Sequence, residues 1–319
     1  MIQYLVKRLL LLLPIMLGVL TIVTLAIHFV PGDPVDVLAG EFATSAQKTV
    51  LRERLHLDKS IVSQLTIYLS NLSHGDFGKS LVYDKSVLLL MSERILPTLE
   101  LACIAIFLAL FFSIPLGFLS AYKAGTITDL ASSFIALIGV SMPSFWLGPI
   151  LILIFSLKLD LLPVSEKSDF KSFILPSLTL GLTLMGILMR MTRTSLLENL
   201  QEDYVRTARA KGASEKRVWF VHIFRNSLIP IITIVGLQFG VLLTGAIITE
   251  KIFDWPGLGS LFIDAVGNRD YPLVQGIVLL FSFSYVIVNL MTDVLYAWAD
   301  PRINIAGKKP APINIKIGP

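Results

Sequence analysis

The chain has 319 residues, a net charge of +4, 54% apolar residues and only 16% charged residues. Soluble proteins carry about 25% charged residues, and the mean hydropathy here is +0.75, so an ordinary soluble domain is excluded. The charge is too small and too dispersed for a nucleic-acid binder, and the lone cysteine, Cys103, excludes an internal disulfide and a cysteine-rich metal site.

A spanning helix needs about 20 predominantly apolar residues. The first such run covers about 9–30, directly after Lys7 and Arg8. It is longer than a signal-peptide core and no A-x-A-like site follows, so it predicts a retained first transmembrane helix. The segment 31–98 predicts a small helical elaboration. Thr44–Leu57 is one stretch of it, and Ser60–Leu72 carries Ile61, Leu65, Tyr68, Leu69 and Leu72 at near-helical spacing before a turn at 73–76. Further apolar runs follow at about 99–121, 131–157, 173–192, 228–249 and 273–297. The fourth run departs most from a plain apolar stretch, with Pro176 and several glycines and threonines. The expectation is an all-α membrane protein of about six transmembrane helices.

Lysine and arginine in short flanking segments set the orientation. With the N-terminus cytoplasmic, the inner side holds Lys7, Arg8, Lys123, Arg193 and the basic residues between Arg206 and Arg225, with Arg190 at the membrane edge. The tail adds Arg302, Lys308, Lys309 and Lys316, whereas the short outer segments hold few cations and 31–98 balances them with acids. Both termini are therefore placed inside. The chain divides into a first helix with its outer helical loop (1–98), a core (99–300) with an inner loop at about 193–227, and a cytoplasmic tail (301–319).

In the inner loop, Glu202 and Asp203 suit a helix start. Tyr204, Val205 and Ala208 share one face with the stem of Lys211, while Arg206, Arg209 and Ala210 lie elsewhere around the helix. Gly212 supplies the stop because it tolerates positive φ, and Ser214 can cap a second short helix beginning at Glu215. Two roles fit this shape. It is a docking element for a partner, with the small residues Ala208, Ala210, Gly212 and Ala213 allowing close approach, or an interfacial helix whose basic face meets anionic lipid.

Polar groups at membrane depth mark further candidates. Ser141, Met142 and Pro143 interrupt the third span and form a pore-lining kink or a plain packing kink. Gln238 and Thr244 line a polar path or bond between helices, and Asp293 pairs with a basic residue or carries a function. Glu250, Asp254 and Asp264, near Trp255, form an outer gate, a contact for another protein or a structured turn, in a segment (250–272) without helical period. His28, His56, His74 and His222 show no ligand spacing, so no metal site is expected. The chain holds no G-x-x-x-x-G-K-[ST] or H-E-x-x-H sequence, and no repeat of the kind secondary transporters show.

The stretches Tyr204–Gly212 and His222–Pro230 resemble the cytoplasmic loop of ABC importer permeases, specifically the branch of dipeptide, oligopeptide and nickel importers. Only Ala208 and Gly212 match the broad Glu-Ala-Ala…Gly pattern, and Pro230 falls farther from Gly212 than that pattern asks. Pro31–Pro34, Gly75–Ser80, Pro97–Leu101, Gly139–Gly148, Phe253–Gly259, Arg269–Pro272 and Asp300–Ile303 are similar to the same branch and occur in its order. They suit the member of the permease pair with the long first outer loop.

The resemblance implies a type I ABC importer permease in a bacterial or archaeal plasma membrane, non-enzymatic in itself. It implies a second homologous permease, two ATPase subunits that hold ATP and magnesium, and an extracytoplasmic substrate-binding protein. The candidate coupling residues are then Tyr204, Arg206, Thr207, Ala208, Arg209, Ala210, Lys211, Gly212, Ala213 and Ser214. Cargo would be dipeptides or oligopeptides, with nickel or a metal chelate as the alternative inside the family, and a secondary carrier or membrane scaffold as the alternative outside it.

Overall fold

A computed structural model describes residues 2–29, 35, 43–54, 57–164, 167 and 169–299. The Pro31–Pro34 motif and the tail 301–319 lie outside the described residues.

Helix α1 spans Ile2–Phe29. Two outer helices follow, α2 (Ser45–Arg54) and α3 (Ile61–Ser73). Ser60 caps α3 by accepting from Ser63 N–H at 3.3 Å. Helix α4 runs over 36 residues, Val87–Tyr122. At 1.5 Å per residue it is about 54 Å long, well beyond the ~30 Å hydrocarbon core. The apolar run at 99–121 is therefore only the membrane part of a helix that starts on the outer side.

The third span is broken. Helix α5 (Ile127–Ser141) and helix α6 (Ser144–Leu151), which continues as a π-helix over Ile152–Lys158, meet at 101°. Pro143 cannot donate to the preceding turn and disfavours helix at Met142, which is extended at ψ 113°. A 3₁₀ turn at Phe170–Phe173 leads into α7, Ile174–Leu200. Then come α8 (Asp203–Ala210), α9 (Glu215–Arg217), a π-helical stretch Val218–Ile223 and α10 (Phe224–Gly245). The chain closes with α11 (Ile247–Ile252), α12 (Leu258–Gly267) and α13 (Tyr271–Ala299). Among the described residues there is no strand, only an isolated Lys79–Ser86 bridge.

Four helical runs are long and apolar enough to cross a bilayer alone, and the bent pair adds a fifth. Helix α1 contributes the apolar stretch Leu10–Ala26 within its 28 residues. The centre of the bundle is α7. Of its apolar window 67% is buried inside the protein, against 28–39% for the other three. This explains its mixed composition: a helix surrounded by helices needs small and hydrogen-bonding residues, not a lipid-facing apolar coat. A Cβ at Gly186 would stand 2.4 Å from Ala136 O, and one at Gly139 would stand 2.6 Å from Leu182 O, so glycine on both helices permits the α5–α7 contact. On α4, Leu101, Ala102, Ala105 and Ala109 pack against Leu180, Leu184 and Leu188 of α7. The opposite side of α4 shows Phe107 and Phe111 outward, as a lipid-facing surface does.

Ion pairs tie helices together. Arg8 on α1 meets Asp293 on α13 at 2.7 Å, which is the basic partner expected for Asp293. Arg193 on α7 grips Asp129 on α5 with two bonds of 2.7 and 2.8 Å, and Gly125 N–H adds a third at 2.9 Å.

Three sequence expectations need correction. The inner loop is shorter than 193–227, because α7 runs on to Leu200 and the next helix begins at Glu215. The second short helix expected after Ser214 is the start of the fifth span, continuous to Leu243. The segment 250–272 is mostly helical, from the end of α11 through α12; Phe253, Trp255 and Gly257 make the turn between them, while Gly259, Phe262 and Gly267 lie in α12.

Candidate functional site

Three places collect the candidate residues. The first is the inner loop. Glu202 takes the N-cap position of α8, with ψ 147°, and Asp203 occupies its first turn. The helix ends in a Schellman motif. Gly212 adopts φ +82°, its N–H donates to Arg209 O at 2.9 Å, and Ala213 N–H donates to Ala208 O at 3.1 Å. Arg209 then spans the turn to Glu215, with Nε donating to Oε1 at 2.8 Å and Nη2 to Oε2 at 3.2 Å. Val205 and Ala208 are buried against Leu196, Val218, Trp219 and Ile223. Tyr204 donates its hydroxyl to Asn199 Oδ1 at 2.7 Å, and burial pushes its phenol above the ordinary tyrosine range.

The loop residues thus divide by face. Arg206, Thr207, Arg209, Ala210, Lys211, Gly212 and Ser214 are exposed, Ala213 and Tyr204 are half-buried, and Ala208 is inside. Close approach of a partner at Ala208 is corrected: its methyl group belongs to the internal packing. Ser214 sits at the N-cap position of α9 but its side chain makes no cap bond.

The second place is a cleft of about 280 Å³ at the α5–α6 break. The structure brings Ser141, Met142 and Pro143 together with Gln238 from α10 along its wall. Thr183 of α7, which the sequence reading missed, joins them. Its hydroxyl is buried with no hydrogen-bond partner among the described residues. Ser144 adds another hydroxyl, the rest of the lining is apolar, from residues such as Leu180, Leu184 and Val241, and no described lining residue is charged. The side chain of Thr244 lies outside the described residues.

The third place is on the outer side. Glu250 is fully buried. Its carboxylate accepts from Thr98 Oγ1 at 2.7 Å, Gly259 N–H at 2.7 Å and Ser260 N–H at 3.0 Å. Burial pushes this carboxyl above the ordinary glutamate range, while those three bonds pull it down. Trp255 is also buried, donating Nε1–H to Pro97 O at 3.0 Å and packing edge-on against Phe173. A surface contact with another protein is therefore not available to Glu250 or Trp255. Asp254 is exposed, at φ +46°, and Asp264 pairs with Lys251 at 2.6 Å. Thr98 stands inside the Pro97–Leu101 motif, which was the one signal that could have flagged it.

The sequence pattern described as "Binding-protein-dependent transport system inner membrane component" matches residues 113–305, and its N-terminal counterpart matches residues 1–102. The chain belongs to this family. The permease is similar to the glutathione transport system permease protein GsiC of Escherichia coli (strain K12), 43% identical over 303 residues, 95% of this chain and 99% of that one. It has the same identity and coverage to the GsiC protein of Shigella dysenteriae serotype 1 (strain Sd197). Its fold is shared with the MetNI methionine ABC transporter in an inward-facing conformation, at TM-score 0.54 and 17% identity over 67% of this chain and 97% of that one. An amino acid ABC transporter solved with histidines matches at TM-score 0.51 and 16% identity, over 67% and 94% of the two chains. The chain is thus an ABC importer permease of the peptide and nickel branch, a multi-pass membrane protein with the type I importer fold.

Proposed function

We propose that this permease forms half of a pathway for short peptides, driven by ATP hydrolysis on separate subunits. The observation that carries the reading is the cleft at the α5–α6 break. An uncharged wall bearing Ser141, Thr183 and Gln238 offers hydroxyl and amide groups to a peptide backbone and apolar surface to its side chains. A pathway must bind weakly enough to release, and neutral hydrogen bonds meet that need better than buried charges. The names of the similar permeases, which specify glutathione, support a peptide-type cargo.

The inner loop supplies the coupling. Helix α8 is anchored through Val205 and Ala208, capped at Gly212 and braced by Arg209. It presents Arg206, Thr207, Ala210 and Lys211 outward as a stiff knob for a motor subunit. In this reading the partners are a second permease, two ATPases holding ATP and magnesium, and an extracytoplasmic binding protein, in a plasma membrane. Cargo and nucleotide favour different states of one two-state assembly.

Uptake of labelled dipeptides, glutathione and nickel into cells with and without the gene tests this. Loss of peptide uptake in the deletion strain, with nickel uptake intact and purified permease accompanied by ATPase subunits, is expected. Loss of nickel uptake alone, or transport that persists without ATP, overturns it.

A further inference from the structure

Both interrupted helices resume on the outer side of the cleft, and there they pack together. Helix α6 follows the break at Met142–Pro143, and α11 follows the break at Ala246, where ψ is 0°. A Cβ at Gly148 of α6 would stand 3.3 Å from Ile252 Cγ2 and 3.3 Å from Phe253 Cε2. The two short helices pack as one unit, a cover that reaches the cleft wall at Ser144 of α6.

One buried carboxylate joins that cover to the bundle. Glu250 of α11 takes the amides of Gly259 and Ser260, the first turn of α12, on Oε2. Its other oxygen, Oε1, takes the hydroxyl of Thr98 on α4. That hydroxyl oxygen in turn accepts from Leu258 N–H at 2.8 Å. The backbone wraps the carboxylate so closely that a Cβ at Gly257 would lie 2.3 Å from it. Apolar packing at this joint is incomplete. A small cavity of about 60 Å³ lies beside Thr98, lined by Leu99, Leu243, Leu258, Phe281 and Ser284 among others. Farther out, Val87, Leu90 and Met91 of α4 pack with Leu258, Leu261 and Ala265 of α12, and Trp255 Nε1–H donates to Pro97 O. The Thr98–Glu250 bond is thus one of several ties between α4 and the cover, while the α11–α12 bonds do not involve α4.

We propose that Thr98 and Glu250 form the latch of an outer gate, in which α6, α11 and α12 swing as one body away from α4 to open the cleft outward. Thr98 is a positioning residue: it acts on access, not on cargo. The inference rests on the proposed reading of the cleft as the cargo path.

Access from each side tests it in the whole transporter in native membrane vesicles. On a Cys103→Ser background, Ser141→Cys places one thiol on the cleft wall. Labelling uses a membrane-impermeant maleimide, from the outer face in right-side-out vesicles and from the inner face in inverted ones, normalised to permease present. Thr98→Val is expected to raise the outer-face rate about ten-fold, the weight of one hydrogen bond to a charged group. Thr98→Ser, which keeps the hydroxyl, is expected to restore the slow rate. Thr98→Ala carries the same expectation as Thr98→Val without its shape. An unchanged outer-face rate in both Thr98→Val and Thr98→Ala overturns the latch, as does an equal rise from both faces, which marks loosened packing. Labelling from neither face in any variant overturns the cleft as a path, and the latch with it.

Discussion

Arg209 reaches over the turn at Gly212 and holds Glu215 with two parallel hydrogen bonds of 2.8 and 3.2 Å. The two residues belong to different elements, the end of α8 and the first turn of the fifth span. The planar guanidinium fixes direction as well as distance, which a lysine would not. In the proposed coupling, a push on α8 reaches α10 through a braced corner and not through a loose loop.

Arg209→Ala is expected to reduce ATP-driven uptake several-fold while leaving the amount of permease in the membrane unchanged, because the pair is exposed and exposed pairs add little stability. The double exchange Arg209→Glu with Glu215→Arg is expected to recover part of the uptake. Radiolabelled peptide uptake alongside quantitative immunoblotting checks this, and full uptake in the single variant sinks the bracing role.

Two alanines two positions apart are expected to respond oppositely to the same substitution. Ala208 is buried against Trp219 and Ile223, so Ala208→Trp overpacks the anchor, at about 1–3 kcal/mol or more. It should lower both thermal stability and membrane level. Ala210 is exposed, so Ala210→Trp should leave stability near wild type and block uptake by obstructing the proposed docking face. Melting in detergent together with uptake separates them; equal melting temperatures would contradict the assignment of faces.

Arg193→Ala leaves the Asp129 carboxylate buried without its main partner. Removing one member of a buried pair costs about 3–5 kcal/mol, and the partial exposure of Arg193 puts the expectation at the lower end. Arg193→Met with Asp129→Leu should be better tolerated than Arg193→Ala alone. Thermal unfolding of the three purified proteins decides it.

Thr183→Val removes a buried hydroxyl that has no partner among the described residues, at nearly constant volume. Stability should hold or rise by about 1 kcal/mol, since an unsatisfied buried polar group costs about that much or more. Peptide uptake should fall with a raised half-saturation concentration if the hydroxyl serves cargo. A variant that gains stability and transports with unchanged concentration dependence shows that Thr183 plays no part in the path.

Much of this architecture was legible from residue order. Runs of apolar residues place the spans because a bilayer admits little else, and the placement of arginine and lysine orients them. The helix, stop and turn of Asp203–Gly212 follow from Gly212, the residue that enters positive φ without strain. The break at Met142–Pro143 follows from proline. Less legible was where each helix ends. Helix α4 extends to Val87 and α7 to Leu200 because tertiary contacts and solvent-exposed turns prolong helices beyond their apolar parts.

The sequence by itself determined that the chain is a helical membrane protein, how it is oriented, and that it breaks at Met142–Pro143 and stops at Gly212, since each of these depends on local chemistry: hydropathy, charge and backbone freedom. The tertiary structure alone decided which face each residue shows. Ala208 turned inward, Glu250 and Trp255 were enclosed, and Thr98, Thr183 and Gln238, far apart in the chain, came to stand beside the two helix breaks. Burial and pairing of polar groups depend on neighbours brought from other helices, and no local pattern along one helix encodes them.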